Sequence, residues 1–297
     1  MAIFVTGASG YIGGAIATAL AESGQSVRGL VRTEEKARRL AAAGIVPVLG
    51  TLDDAETLAR EARAADAVVN AADSDHLGAA EALIDGLAGS GKPLLHTSGS
   101  SIVSDIANGE FASDRIFYDD DSFDTAPARK QRVAVDRLVR DAAGRGVRSA
   151  VLCNTMIYGR SRGLHAESVQ VPELVGQARK SGIVRTVGPG RNIWSNVHID
   201  DMVDLYLFAL KKAPAGSFYF VENGEASFHQ IAQAIARRFR LGEPQAWSVE
   251  EASNEWGGAR VLYSLGTNCR VRGRRARAEL GWAPRHTSIT EWIERKA

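Results

Sequence analysis

The chain has 297 residues, 45% hydrophobic and 24% charged, the balance of a globular protein long enough to bury a sizeable core. A formal net charge of +1 leaves no global field to draw it to nucleic acid or to a membrane surface. Two cysteines, Cys153 and Cys269, fit neither a disulfide framework nor a metal-ligand spacing, and no stretch approaches the ~20 apolar residues of a membrane helix. Met1 leads straight into an apolar strand, with no signal-peptide pattern. The expectation is a soluble cytoplasmic protein with a small-molecule substrate and no metal.

Along the first half, short apolar or β-branched runs alternate with longer stretches of helical periodicity. Strands are predicted at 2–6, 26–31, 45–49, 67–71, 93–97 and 148–153, and helices at 12–22, 34–43, 55–63, 77–88 and 129–143. Such alternation predicts an α/β, Rossmann-like, doubly wound parallel sheet, with a ligand crevice at the carboxyl ends of its strands. Beyond Cys153 the pattern is irregular, with helices at 168–180, 200–211, 228–239, 249–256, 273–280 and 288–296 and strands at 184–187 and 218–221. The expected organisation is a dinucleotide-binding domain over 1–155 and a smaller, mainly substrate-binding α/β cap over 156–297. Segments near 188–225 are expected to return to the sheet. Five arginines crowd positions 270 to 277, and they read either as a solvated face or as a local anion contact.

Thr6-Gly7-Ala8-Ser9-Gly10-Tyr11-Ile12-Gly13 stands where the first strand turns into the first helix. There Gly7 permits a tight turn, Gly10 lets backbone N–H groups approach a pyrophosphate, and Gly13 lets helix pack on strand. Ser9, Tyr11 and Ile12 share that turn. Leu52, Ala71, Ala72, Thr97 and Ser98, at the ends of later strands, complete the expected cofactor contacts. An acid ending the second strand would bind the adenosine ribose of NAD, but the sequence reads Leu30-Val31-Arg32-Thr33. A guanidinium there suits a 2′-phosphate, so NADP(H) is the expected cofactor, with NAD(H) as the second choice.

With these features the chain resembles the extended short-chain dehydrogenase/reductase family, which includes the NAD-dependent epimerase/dehydratase enzymes. The resemblance rests on the glycine turn, Leu95-His96-Thr97-Ser98, Ile157-Tyr158-Gly159, Val197-His198-Ile199-Asp200-Asp201 and Glu279-Leu280-Gly281-Trp282-Ala283-Pro284. The family uses a Ser or Thr beyond the fifth strand and a Tyr-x-x-x-Lys on the fifth helix, whose tyrosine is the acid/base. Lined up through Leu95–Ser98, the Ser or Thr position is Gly99; lined up through Asp136, the tyrosine and lysine positions are Ala128 and Arg132. A methyl group cannot donate a proton, so the usual mechanism does not carry over.

The substrate side departs as well. Nucleotide-sugar members place an Asn where this chain has Met156, and an Arg and an aromatic where it has Trp194 and Asn196. The expected ligand is therefore a smaller, non-nucleotide compound lying against Gly99, Ser100, Met156, His165 and Trp194. Ser100, Ser101 and Arg132 are the candidate catalytic groups, Arg132 doubling as a ribose contact in place of lysine. Tyr118 could fold over the nicotinamide or lie on a surface loop. His198 reads as structural, the Asp119–Asp121 run as solvated charge, and Glu222 to Glu225 as a turn capping the helix at Phe228. Three functions remain open: an NADP(H)-dependent oxidoreductase on a small carbonyl, a non-catalytic redox sensor, and an epimerase or dehydratase with retained cofactor. Val133, Val135, Leu138 and Val139 suggest a homodimer through the fourth and fifth helices.

Overall fold

The computed structural model describes residues 1–297. Its first half runs β1 (Ala2–Thr6), α1 (Tyr11–Glu22), β2 (Ser26–Val31), α2 (Glu34–Ala42), β3 (Val46–Leu49), α3 (Ala55–Ala64), β4 (Ala67–Asn70), α4 (Leu77–Leu87) and β5 (Pro93–Gly99). Then follow β6 (Phe117–Tyr118), α5 (Lys130–Asp141), β7 (Arg148–Asn154), β8 (Met156–Tyr158), α6 (Gln170–Ser181), β9 (Arg185–Val187), β10 (Ile193–His198) and α7 (Ile199–Lys212). The remainder is β11 (Ser217–Val221), β12 (Glu225–Ser227), α8 (Phe228–Phe239), β13 (Gln245–Trp247), α9 (Val249–Trp256), α10 (Gly258–Arg260), β14 (Val271–Arg272), α11 (Arg274–Leu280) and α12 (Ile289–Lys296).

Seven strands form one parallel sheet in the order β11-β7-β5-β4-β1-β2-β3. Its central strands are apolar at nearly every position because helices cover both faces. Phe4, Val68, Leu94 and Val151 face a core shared with α3, α4, α5 and α8. Val5, Val69, Leu95 and Leu152 face the other, shared with α1, α2 and α7. The order reverses between β1 and β4, which opens a crevice above their carboxyl ends.

Segments beyond β7 divide between sheet and cap. β11 pairs with β7 at the sheet edge, and α7 packs against α1 beneath it. β10 joins β8 and β12 in a separate three-stranded sheet, while β9 pairs with β13, and β6 with β14, in two-stranded ribbons. No helix is long and apolar enough to cross a membrane.

The apolar side of α5 is used within the chain. Val135 and Val139 are fully buried, and Val133 and Leu138 pack against the same core. What α5 shows to solvent is Lys130, Gln131, Ala134, Arg137, Arg140 and Asp141. Val133 and Leu138 stay half-buried between that core and the exposed face.

Candidate functional site

Between β1 and α1 the chain turns at Gly7, whose φ is +68° and whose added Cβ would stand 2.4 Å from the Ala71 carbonyl oxygen. A Cβ at Gly13 would meet the Gly7 oxygen at the same distance, so only glycine lets the helix sit this close to the strand. Gly10 begins α1 with no side-chain cap and no acidic residue in the first turn. Its free N–H groups and positive dipole end face the crevice, the arrangement a pyrophosphate needs.

The outer half of the crevice is a cavity of about 740 Å³ reaching from Gly7, Ser9 and Gly10 past Ala71 and Ala72 to Arg32 and Leu52. Lys36 lines it as well, placed by α2, whose first turn is capped by the Thr33 hydroxyl accepting from Lys36 N–H. Two cations thus stand at the end of β2, and the acids of this wall, Asp53 and Asp73, lie beyond β3 and β4. Asp53 is engaged by His76, which caps α4 through Nδ1 and donates from Nε2 to the carboxylate at 3.1 Å.

His165 lines this outer half beside Arg32 and Lys36, not the inner half where a substrate was expected. Its loop is laid across α1: a Cβ at Gly163 would come within 2.5 Å of Gly14, and Arg39 donates to the Leu164 carbonyl. Sequence distance hid this contact and the approach of His76 to Asp53, whereas Lys36 lies only four residues past Arg32.

The inner half, about 250 Å³, is lined by Tyr11, Ile12, Ala71, Ala72, Thr97, Ser98 and Gly99 together with Asn154 and Thr155 from the end of β7. Asn154 donates from Nδ2 to the Tyr206 hydroxyl, and Tyr206 in turn donates to Thr97 Oγ1 at 2.9 Å. That fixes the amide and leaves Asn154 Oδ1 buried with no partner. An orphaned acceptor here suits an incoming amide N–H such as a nicotinamide carboxamide.

The remaining candidates from the sequence separate into two groups. Arg132 lies over Gly99, its Nη1 3.1 Å from where a Cβ would be. It is held in a bidentate pair with Asp75 at 3.0 and 2.7 Å and donates weakly to Ser101 Oγ. Gly99 and Arg132 are therefore one adaptation, since a side chain at 99 would crowd the guanidinium. Ser100, Met156 and Trp194 are buried away from the crevice. Ser100 turns into the short 3₁₀ segment after β5 and accepts from the Cys269 thiol. Met156 is core, and Trp194 donates to the Thr267 carbonyl at 2.7 Å. These three do not line the site because β8 and β10 present Met156 and Trp194 to the core shared with the sheet, and the chain turns under itself past Gly99.

Under Ser98 runs a buried polar chain that joins four elements. Ala71 N–H donates to Thr6 Oγ1, whose proton goes to Asn70 Oδ1. Asn70 must then present Nδ2 to His96, so Nδ1 of that ring is the acceptor and the imidazole is neutral, with its proton on Nε2. Burial agrees, holding the His96 pKa down to about 4. Nε2 points at Asp136 Oδ1 across 3.6 Å, and neither atom has a hydrogen-bond partner. Asp136 Oδ2 contacts Ser98 Oγ at 2.7 Å. Burial pushes the Asp136 carboxyl up to about 7, opposed by the Ser98 contact and Arg132.

Elsewhere the polar clusters are structural. Tyr118 lies on β6 beneath the Arg274 guanidinium, on the ribbon with β14. Asp119 is buried, contrary to its reading as solvated charge, and accepts from the backbone N–H groups of Phe220, Arg274 and Arg275. Of the arginine cluster, Arg270 and Arg272 share Glu225, Arg277 pairs with Glu222 and Arg275 with Glu279, so four of the five are engaged in internal ion pairs. The cap of α8 is Ser227 with Gln230, not Glu222 or Glu225. His198 caps α7 by accepting from Asp200 N–H.

Fold and crevice together define a dinucleotide-binding α/β protein. A family described as NAD(P)H-binding matches residues 7–170. The oxidase ucsJ of an Acremonium species is 34% identical, with 98% of this chain and 95% of that protein covered. A ketoreductase from Stigmatella aurantiaca, named for 4-hydroxy-2-methyl-3-oxo-4-farnesyl-3,4-dihydroquinoline-1-oxide, is 28% identical over 97% of this chain and 93% of its own. Among solved structures, UDP-glucose 4-epimerase from Thermotoga maritima superposes with a TM-score of 0.78 at 17% identity, covering 99% of this chain and 96% of that one. The dTDP-glucose 4,6-dehydratase of Bacillus anthracis, in complex with NAD, gives 0.78 at 16%, covering 99% and 94%. At those identities the structural likeness speaks for the fold alone. The chain belongs to the NAD(P)H-binding family and shares the fold of these epimerase and dehydratase structures.

Proposed function

We propose that the protein is an NADP(H)-dependent oxidoreductase that reduces a small, non-nucleotide carbonyl compound. The observation that carries this reading is the pairing of Arg32 and Lys36 in the outer cavity, with no carboxylate ending β2. Two cations there favour a 2′-phosphate by charge-assisted contacts that an unphosphorylated ribose cannot make. The oxidase and ketoreductase names of relatives covering nearly the whole chain support redox chemistry.

When bound, the nicotinamide supplies or accepts a hydride. The chain's residues do the rest. Backbone N–H groups between Gly7 and Ile12 would hold the pyrophosphate, and the unpartnered Asn154 Oδ1 would accept from the carboxamide. Gly99 lets the Arg132 guanidinium lie over the end of β5, at the edge of the inner cavity. Arg132 and Ser101 polarise the acceptor oxygen from the α5 side, with Asp75 holding the guanidinium in place. Met156 and Asn196 lack the groups that grip a nucleotide diphosphate, and Trp194 is committed to packing, which supports a smaller substrate.

The missing tyrosine favours a second reading, a redox sensor that binds dinucleotide without turnover. A panel of ketones, aldehydes and quinones incubated with enzyme and either NADPH or NADH separates the two. Loss of reduced-nicotinamide absorbance with at least one compound, faster with NADPH, is the expected result. Tight NADPH binding with no turnover across the panel would favour the sensor.

A further inference from the structure

Ala128 stands at the surface where the family's tyrosine would be, and Arg132 is already held by Asp75. A reduced carbonyl oxygen nevertheless needs a proton, and the inner cavity offers few sources. Thr97 and Asn154 are tied to Tyr206. Ser98 differs: it lines the cavity and also touches a carboxyl that is 5% exposed and unpartnered at its second oxygen.

We propose that Ser98 hands the proton to the substrate oxygen and that Asp136, behind it, is the store from which Ser98 is replenished. This rests on the carbonyl-reduction reading above. The carbonyl carbon accepts a hydride from the reduced dinucleotide while the C=O π pair moves onto oxygen. That oxygen takes the Ser98 hydroxyl proton, and Ser98 takes the proton of the Asp136 carboxyl. One hydride and one proton are consumed per alcohol formed, and Asp136 is left as carboxylate. Water in the emptied crevice returns the proton through the same hydroxyl.

The surroundings favour this direction of transfer. The 2.7 Å contact serves either way, since a neutral Asp136 donates to Ser98 and frees the hydroxyl to donate onward. The groups facing Asp136 are neutral His96 from β5, buried Cys153 from β7, Asp75 from the loop after β4, and Arg132 and Arg140 from α5 itself. Burial outweighs the two guanidinium groups and keeps the carboxyl protonated up to about 7. The carboxylate left after transfer faces Arg132 one helical turn away, which limits the cost of forming it.

Ser98→Ala, Asp136→Asn and Asp136→Glu test the proposal. The first two should lower kcat by about 100-fold, the usual worth of positioned general acid catalysis, and Asp136→Asn, behind the cavity wall, should leave the NADPH Kd unchanged within about twofold. Asp136→Glu, which keeps a carboxyl, should recover much of the loss. Wild-type kcat should fall as pH rises through about 7 while the residual rate of Asp136→Asn stays level. In protein free of cofactor, the infrared band of a protonated carboxyl should vanish over the same interval and be absent from Asp136→Asn. Should Asp136→Asn fail to fold, Ser98→Ala and the wild-type infrared titration decide the matter. Reduction by Ser98→Ala at the wild-type rate and with its pH profile would overturn the relay alone, as would an Asp136 ionised throughout pH 5 to 8. Failure of the wild type to reduce any carbonyl would overturn the functional reading and the relay with it, whatever the infrared titration shows.

Discussion

Trp194 shows how a residue aligned with a binding position can belong to the core. Its indole is 4% exposed and donates to the Thr267 carbonyl, so its ring fills space between β10 and the strand-like segment at Cys269. Truncation should therefore act on stability. Trp194→Ala is expected to cost about 3–5 kcal/mol in denaturant unfolding, the range for a large aromatic deleted from a core, while NADPH affinity stays near wild type. An unchanged unfolding midpoint together with lost substrate affinity would return Trp194 to the crevice. Arg32 was legible in the sequence because the glycine turn and strand length place the end of β2 without ambiguity. Ser98 was legible as a cavity residue but not as a partner of Asp136. Periodicity does not say which side chain of a strand end faces a helix that follows more than thirty residues later. Ser100 was misplaced for a local reason, the 3₁₀ turn that rotates it inward just past Gly99.

At the scale of elements, the loop between β8 and α6 is the least expected contributor. It crosses α1 through the contact of Gly163 with Gly14 and brings His165 to Arg32 and Lys36. A methyl group at 163 would meet backbone 2.5 Å away, which cannot yield as a flexible side chain would, so the loop must lift. Gly163→Ala should cost about 1–3 kcal/mol of stability as an overpacked contact and weaken NADPH several-fold by withdrawing His165. Gly176→Ala, on α6 with open space around it, is the matched control and should do neither. Equal NADPH affinity in both variants, measured by calorimetry, would leave His165 without a role at the cofactor. Strands β1 to β5 were legible because each is a short apolar run bounded by glycines or by a helix cap. Strands β6, β8, β12, β13 and β14 were not, because at two or three residues they lack a period to detect. The cap's small sheets are instead fixed by tertiary pairing, such as Trp194 opposite Ala226.

Across the whole molecule, alternation of strand and helix was sufficient to place the crevice, since a right-handed parallel sheet whose order reverses at β1 and β4 can open only there. Chemistry was less legible than architecture. Loss of the tyrosine and lysine positions was plain, but the packing of Arg132 over Gly99 and against Asp75 depends on a side chain folding back over a strand end. The preference for NADP(H) rests on recognition of a 2′-phosphate. NADPH and NADH should be titrated by calorimetry into wild type and Arg32→Ala. The wild type is expected to bind NADPH at least tenfold more tightly. The variant should lose roughly 1.5–3 kcal/mol toward NADPH, about 10- to 100-fold, with NADH nearly unaffected. Equal loss for both cofactors, or a wild type that prefers NADH, would contradict it.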